Sequence, residues 1–75
     1  KREKGDYISP MPGKVQKVLV KTGDSVSAGD ALLIMESMKM ENTLSATDAG
    51  TVQDIFVGQG DMVEANSKLI HILEE

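Results

Sequence analysis

Apolar residues recur along the chain in short runs, broken every few positions by Gly, Pro, Asn or Asp. That pattern belongs to strands joined by tight turns. Residues 6–9 predict a short strand, which Pro10, Pro12 and Gly13 end. Val15, Val18 and Val20 carry the next apolar face, and its period slips by one residue across Gln16 and Lys17. The equivalent slip follows Val52, across Gln53 and Asp54, before Ile55 and Val57 resume the pattern. A one-residue slip in a two-residue period points to a β-bulge, a device that bends strands in closed barrels. Thr22-Gly23-Asp24 and Gln59-Gly60-Asp61 read as matching turns into very short strands at Val26 and Val63. Ala28-Gly29-Asp30 and Ala65-Asn66-Ser67 supply the turns that follow. Residues 31–36 and their counterpart 68–73 are apolar enough for burial on both faces. Residues 40–45 continue as a strand, and Asp48, Ala49 and Gly50 turn the chain back. The strands on either side of Met38 and Lys39 predict a hairpin with Lys39 at its tip.

These correspondences amount to an internal repeat. Shifting the chain by 37 residues lays 13–36 over 50–73 with nine of 24 positions identical, among them Gly13/Gly50, Val15/Val52, Gln16/Gln53 and Leu32/Leu69. The pattern Gly-Asp-x-Val-x-Ala recurs intact at 23–28 and 60–65. Two copies of so short a unit predict one pseudo-symmetric domain, because a solenoid needs more units to bury its faces.

Composition narrows the picture. At 75 residues the core must be small and closed, and with only Tyr7 and Phe56 as aromatics it must be built from aliphatic side chains and Met. There is no cysteine, so no disulfide or thiolate metal site supports it. No run approaches the roughly 20 apolar residues of a membrane span, nor is there a secretory signal. The net charge of −4 divides unevenly: residues 1–37 hold six basic and five acidic side chains, and residues 38–75 hold two and seven. An acidic chain without a basic stripe is a poor nucleic-acid ligand, so the asymmetry reads as a solvated surface. Residues 1–5 are mostly charged and begin on Lys1. They read as a linker remnant, with the folded domain at 6–75 as a piece of a longer protein.

The tip breaks a local rule, since a two-residue hairpin turn prefers Asn-Gly or Asp-Gly and this one offers Met38 and Lys39. Such departures mark candidate functional sites. On a strand, residues two apart share a face, so Met38 and Met40 are expected to flank Lys39 on the side opposite to it. The competing expectations are an ordinary solvated lysine and two core-filling methionines. His71, the only histidine, falls on a strand and reads as a strand residue rather than a catalytic or metal-binding group. Gly58-Gln59-Gly60 is a turn without the spacing of a phosphate cradle.

Glu36-Ser37-Met38-Lys39-Met40 resembles the attachment motif of biotinyl domains, whose usual form is Ala-Met-Lys-Met, with Ser37 in the Ala position. Pro10-Met11-Pro12-Gly13 resembles the Pro-Met-Pro-Gly stretch that these domains carry ahead of their first long strand, and the likeness spans residues 8–73. The resemblance implies an all-β fold: a flattened β-barrel, or barrel-sandwich hybrid, of two four-stranded antiparallel sheets. It implies biotin joined by an amide to Lys39, with Met38 and Met40 as the attachment motif and Glu36 and Ser37 flanking it. It further implies a biotin protein ligase that loads the lysine, and biotin carboxylase and carboxyltransferase partners between which the arm carries CO2.

A domain of this kind is a carrier and not an enzyme, monomeric by itself, and resident in the cytoplasm or, in a eukaryote, the mitochondrial matrix. Residues 21–30 are too short for the protruding loop of some acetyl-CoA carboxylase carriers, so the chain looks more like the carboxyl-terminal carrier of acyl-CoA or pyruvate carboxylases, or of biotin-dependent decarboxylases. Alternatives remain. A lipoyl domain shares the hairpin lysine but usually reads Asp-Lys-Ala there, and an unmodified structural barrel of the export-adaptor kind would leave Lys39 bare. A phosphopantetheine carrier is suggested by Glu36-Ser37-Met38 but requires helices where this chain has strand periodicity.

Overall fold

The computed structural model describes residues 5–74, so Lys1 to Lys4 of the expected linker lie outside the described residues. Eight strands follow one another: β1 (Asp6–Ile8), β2 (Gly13–Val18), β3 (Ser25–Val26), β4 (Ala31–Ser37), β5 (Met40–Ser45), β6 (Gly50–Ile55), β7 (Met62–Val63) and β8 (Lys68–Glu74). They form two antiparallel four-stranded sheets in the orders β1-β8-β6-β3 and β5-β4-β2-β7, which is the expected all-β barrel-sandwich arrangement. The 37-residue shift converts one order into the other. Each half also contributes its shortest strand to its partner's sheet: β3 pairs with β6, and β7 with β2.

Both expected bulges are present. The register between β2 and β4 jumps from Val15 to Lys17, and that between β6 and β8 from Val52 to Asp54, leaving Gln16 and Gln53 as the extra residues. A second matched pair was not anticipated. The register jumps from Ala31 to Leu33 against β5, and from Lys68 to Ile70 against β1, leaving Leu32 and Leu69 unpaired there. This corrects the expectation that residues 31–36 and 68–73 are buried on both faces. Ala31 and Lys68 are exposed, while Leu32 and Leu33, like Leu69 and Ile70, are wholly buried as neighbours because the bulge turns both members of each pair inward.

The turns repeat with equal fidelity. Asp24 accepts a hydrogen bond on its carboxylate from the Lys21 backbone N–H, and Asp61 does the same for Gly58, at 2.9 and 2.8 Å. The Gly23 and Gly60 N–H groups then donate to the carbonyls of Val52 and Val15. Repeated Gly13 and Gly50 reflect close approach rather than turn geometry. A Cβ on Gly13 would lie 2.6 Å from the Glu36 carbonyl oxygen, and one on Gly50 would lie 2.5 Å from that of Leu73. The core that results is aliphatic, centred on Val15, Leu32, Leu33, Val52, Leu69, Ile70 and Ile72, with Tyr7 at one edge. The Tyr7 hydroxyl satisfies its polarity by accepting from the Thr47 backbone N–H at 3.0 Å.

Strand β1 is fastened to β8 from outside as well. Its pairing begins at Gly5, whose carbonyl accepts from the Ile72 N–H at 3.0 Å. On the surface, His71 Nδ1 meets the Asp6 carboxylate, which can only accept, so Nδ1 carries the proton. Lys68 Nζ stands 3.8 Å from the other Asp6 oxygen. The hydrogen bond from His71, reinforced by the charge of Lys68, holds the Asp6 carboxyl below its ordinary value of 3.8. A lowered carboxyl pKa contributes stability that is present above that value and is lost as the pH falls through it towards the folded-state value. The Asp6→Asn variant should therefore melt below the parent at pH 6, and the gap in thermal midpoint should narrow progressively as the pH is lowered through 3.8. A gap that does not change with pH below 3.8 would assign the effect to packing instead.

Candidate functional site

Strands β4 and β5 run in register up to the pair Ser37↔Met40, so Met38 and Lys39 alone connect them. Their φ angles are 53° and 67°. Positive φ at both central residues is the mirror-image turn whose twist suits a two-residue hairpin. For residues that carry a Cβ, this region costs on the order of 1–3 kcal/mol each. The strain is held by the ladder on either side, so Lys39 stands on a stiff mount.

The expectation that Met38 and Met40 share a face opposite Lys39 fails, because strand alternation stops at Ser37 and Met38 belongs to the turn. Nor do they pack in the core: Met38 is 88% exposed and Met40 64%. Lys39 is exposed as well, and its ammonium makes no hydrogen bond or ion pair among the described residues.

The flanking residues are tied back to β2 and the loop before it. Glu36 is half-buried, and its carboxylate accepts from Gln16 Nε2 at 3.0 Å, so the extra residue of the β2 bulge anchors the base of the hairpin. The Ser37 hydroxyl donates to the Pro12 carbonyl at 2.8 Å, clamping the loop of Pro10, Met11 and Pro12 beneath the tip. That bond was not foreseen, since sequence spacing alone does not bring Ser37 to a residue 25 positions away. The Ser37→Ala variant should lose about 0.5–1.5 kcal/mol, the net worth of one hydrogen bond. Urea titration of the two proteins measures the loss. Equal midpoints would show that solvent replaces the bond at no cost.

Around the tip lies an open depression of about 570 Å³, lined by Met11, Pro12, Lys14, Met38, Lys39 and Met62 among others. Met62 comes from β7, the strand lent by the second half, where it pairs with Lys14. Neither Met11 nor Met62 is placed at the tip by sequence spacing; the fold brings them there. His71 lies apart from it, in the other sheet. Among the described residues no group of three or more His, Asp or Glu side chains could hold a metal ion.

Comparison with known proteins places the chain in a family. The family model described as "Biotin-requiring enzyme" matches residues 5–72. The biotin carboxyl carrier protein of Streptococcus mutans is 52% identical over 64 residues, covering 85% of this chain and 49% of that protein. The mitochondrial methylcrotonoyl-CoA carboxylase subunit alpha of Rattus norvegicus is 42% identical over 71 residues, covering 95% of this chain and 10% of that protein. Among solved structures, the urea carboxylase of Kluyveromyces lactis superposes with a TM-score of 0.85 at 37% identity, covering 97% of this chain and 6% of that one. The chain thus spans about half of one curated relative and about a tenth of the other. With a family match running almost from end to end over a two-sheet barrel, the chain belongs to the biotin/lipoyl attachment family.

Proposed function

We infer that this domain is a biotin carboxyl carrier, loaded on Lys39, that moves a carboxyl group between the biotin carboxylase and carboxyltransferase sites of a biotin-dependent carboxylase or decarboxylase. The observation that carries this reading is Lys39 itself: an exposed ammonium, unpaired among the described residues, at the apex of a two-residue turn between exposed Met38 and Met40. The 52% identity to a protein named biotin carboxyl carrier protein supports biotin over lipoate.

The residues fit a group joined by an amide. Acylation of Lys39 removes a charge that has no partner to lose among the described residues, and nothing buried must move. Biotin supplies a ureido nitrogen able to hold the carboxyl group, which is chemistry the chain's own side chains lack. The chain contributes position: Met38 and Lys39 in a strained turn, Gln16 holding Glu36, and Ser37 holding Pro12. An ammonium at neutral pH is not a nucleophile, so a biotin protein ligase must bring an activated acyl group and a route for the departing proton. The domain is therefore a substrate of that ligase and a passenger between two other active sites, in cytoplasm or mitochondrial matrix according to its source.

Co-expression with a biotin protein ligase, and separately with a lipoyl ligase, followed by intact-mass measurement, tests the assignment. A biotin-sized increment with the first and none with the second is the expected result. A lipoyl increment, or an unchanged mass with both, would overturn it.

A further inference from the structure

The internal repeat provides a control for deciding which surface residues the fold requires. Positions related by 37 residues occupy equivalent places in the two sheets, so an apolar side chain that the barrel itself needs should have an apolar counterpart. Most buried apolar positions obey this: Val15 answers Val52, Leu32 answers Leu69, and Met35 answers Ile72, with Ala46 against Ser9 as an exception. Around the tip the rule breaks. Met62, 74% exposed, corresponds to Ser25, and Met11, 36% exposed, corresponds to Asp48. Pro12 corresponds to Ala49. The strand carrying Met62 and the strand carrying Ser25 have the same length and equivalent pairing, so neither side chain is dictated by folding. Elsewhere the exposed apolar residues are matched across the repeat, as Leu19 is by Phe56, or stand singly, as Ile8 does against Ser45, whereas at the lysine end Met11, Pro12 and Met62 gather around one depression together with Lys39.

The geometry points to a resting site for the acyl arm of Lys39 on its own domain, formed by Met11, Pro12 and Met62. This rests on the carrier reading above. Tethering is the argument for the arm rather than another protein. Lys39 already forms part of the wall, so any group on its Nζ is presented to the depression at an effective concentration on the order of millimolar, and even a feeble contact is populated. The occupant is a compact bicycle, apolar on its thioether ring and polar along its ureido edge, on a four-carbon chain. Flexible thioethers suit such a body because they adapt to its shape. The depression, at about 570 Å³, is of the size of small-ligand sites. Lys14, opposite Met62 on β2, places an ammonium at the same wall, where a ureido carbonyl could accept from it. The Ser37 clamp on Pro12 fixes one side of the site, so the hydroxyl at this position acts on the arm's rest state without touching the reacting atoms.

The test uses the chain with its methionine methyls labelled with carbon-13, unmodified and biotinylated, with intact mass recorded on each sample. The proposal expects the Met62 and Met11 methyl resonances to move on biotinylation, with cross-relaxation to the bicycle, while the methyl of buried Met35 stays in place. In the Met62→Ser variant, which copies the residue of the other half, streptavidin should capture the arm about twofold faster, the factor for an arm that rests about half of its time. A biotin increment in mass with unmoved Met11 and Met62 methyls would overturn the resting site and leave the carrier reading intact. Absence of the increment would overturn the carrier reading and the resting site with it.

Discussion

Replacing Lys39 by Arg should abolish biotinylation outright while leaving the fold unchanged. Arginine keeps the charge and tolerates exposure, but its guanidinium is neither deprotonated under working conditions nor a competent acyl acceptor. Lys39 has no hydrogen-bond or ion-pair partner to lose among the described residues, and the left-handed φ of 67° penalises either side chain alike. Intact mass after co-expression with the ligase measures the first effect, and the thermal midpoint the second. The parent should gain one biotin and the variant none, with midpoints within a degree or two. The other lysines, among them Lys14, Lys17, Lys21 and Lys68, provide the internal comparison. A biotin increment surviving in Lys39→Arg would move the attachment point to one of them. A large fall in midpoint would mean that the ammonium supports the turn in a way its exposure does not suggest.

The second large effect is on stability. Leu69→Ala should cost 2–5 kcal/mol, as buried leucines generally do when truncated. At roughly 0.05–0.15 kcal/mol per residue, a domain of 75 residues holds about 4–11 kcal/mol in all. Leu69 is wholly buried and is the extra residue of the bulge facing β1, so the cavity opens where the register shifts and cannot close by sliding one strand. Leu32→Ala, its repeat partner against β5, should cost a similar amount. Urea unfolding with an unchanged slope would confirm a pure stability loss. A cost below 1 kcal/mol in both would show that the core around the bulges relaxes freely.

The strands and their bulges were legible because both write themselves into periodicity. The slip after Val15 and Val52 appears in the chain as plainly as in the ladder, where Gln16 and Gln53 are skipped. The second pair of bulges was hidden, since Leu32-Leu33 and Leu69-Ile70 look the same as a strand buried on both faces. Lys39 at the apex was also readable from the two flanking runs. Its backbone was not, because Met and Lys carry none of the usual signs of positive φ, and the strand-alternation argument for Met38 and Met40 depended on that backbone. Met11 was legible only as part of the Pro-Met-Pro-Gly stretch and Met62 not at all, because they reach the tip through the loop before β2 and through β7, and pairing across the repeat is set by tertiary structure. Ser37 was read as a small departure from an alanine. Its bond to Pro12 needed the fold to bring the two together.

The exchange of β3 and β7 between the halves bears on how the domain comes apart. Each copy of the repeat supplies two strands of one sheet, β2 and β4 or β6 and β8, and lends its third to the sheet of the other copy. The bonds Val52 N–H to Asp24 carbonyl and Val15 N–H to Asp61 carbonyl, both 2.8 Å, are reciprocal, so releasing one half strips an edge strand from the other. Neither copy is a foldon, and native-state hydrogen exchange should find the amides of β4 and β8 opening together in a single global event. The domain thereby avoids half-open states in which unpaired strand edges would invite strands of other chains to add on.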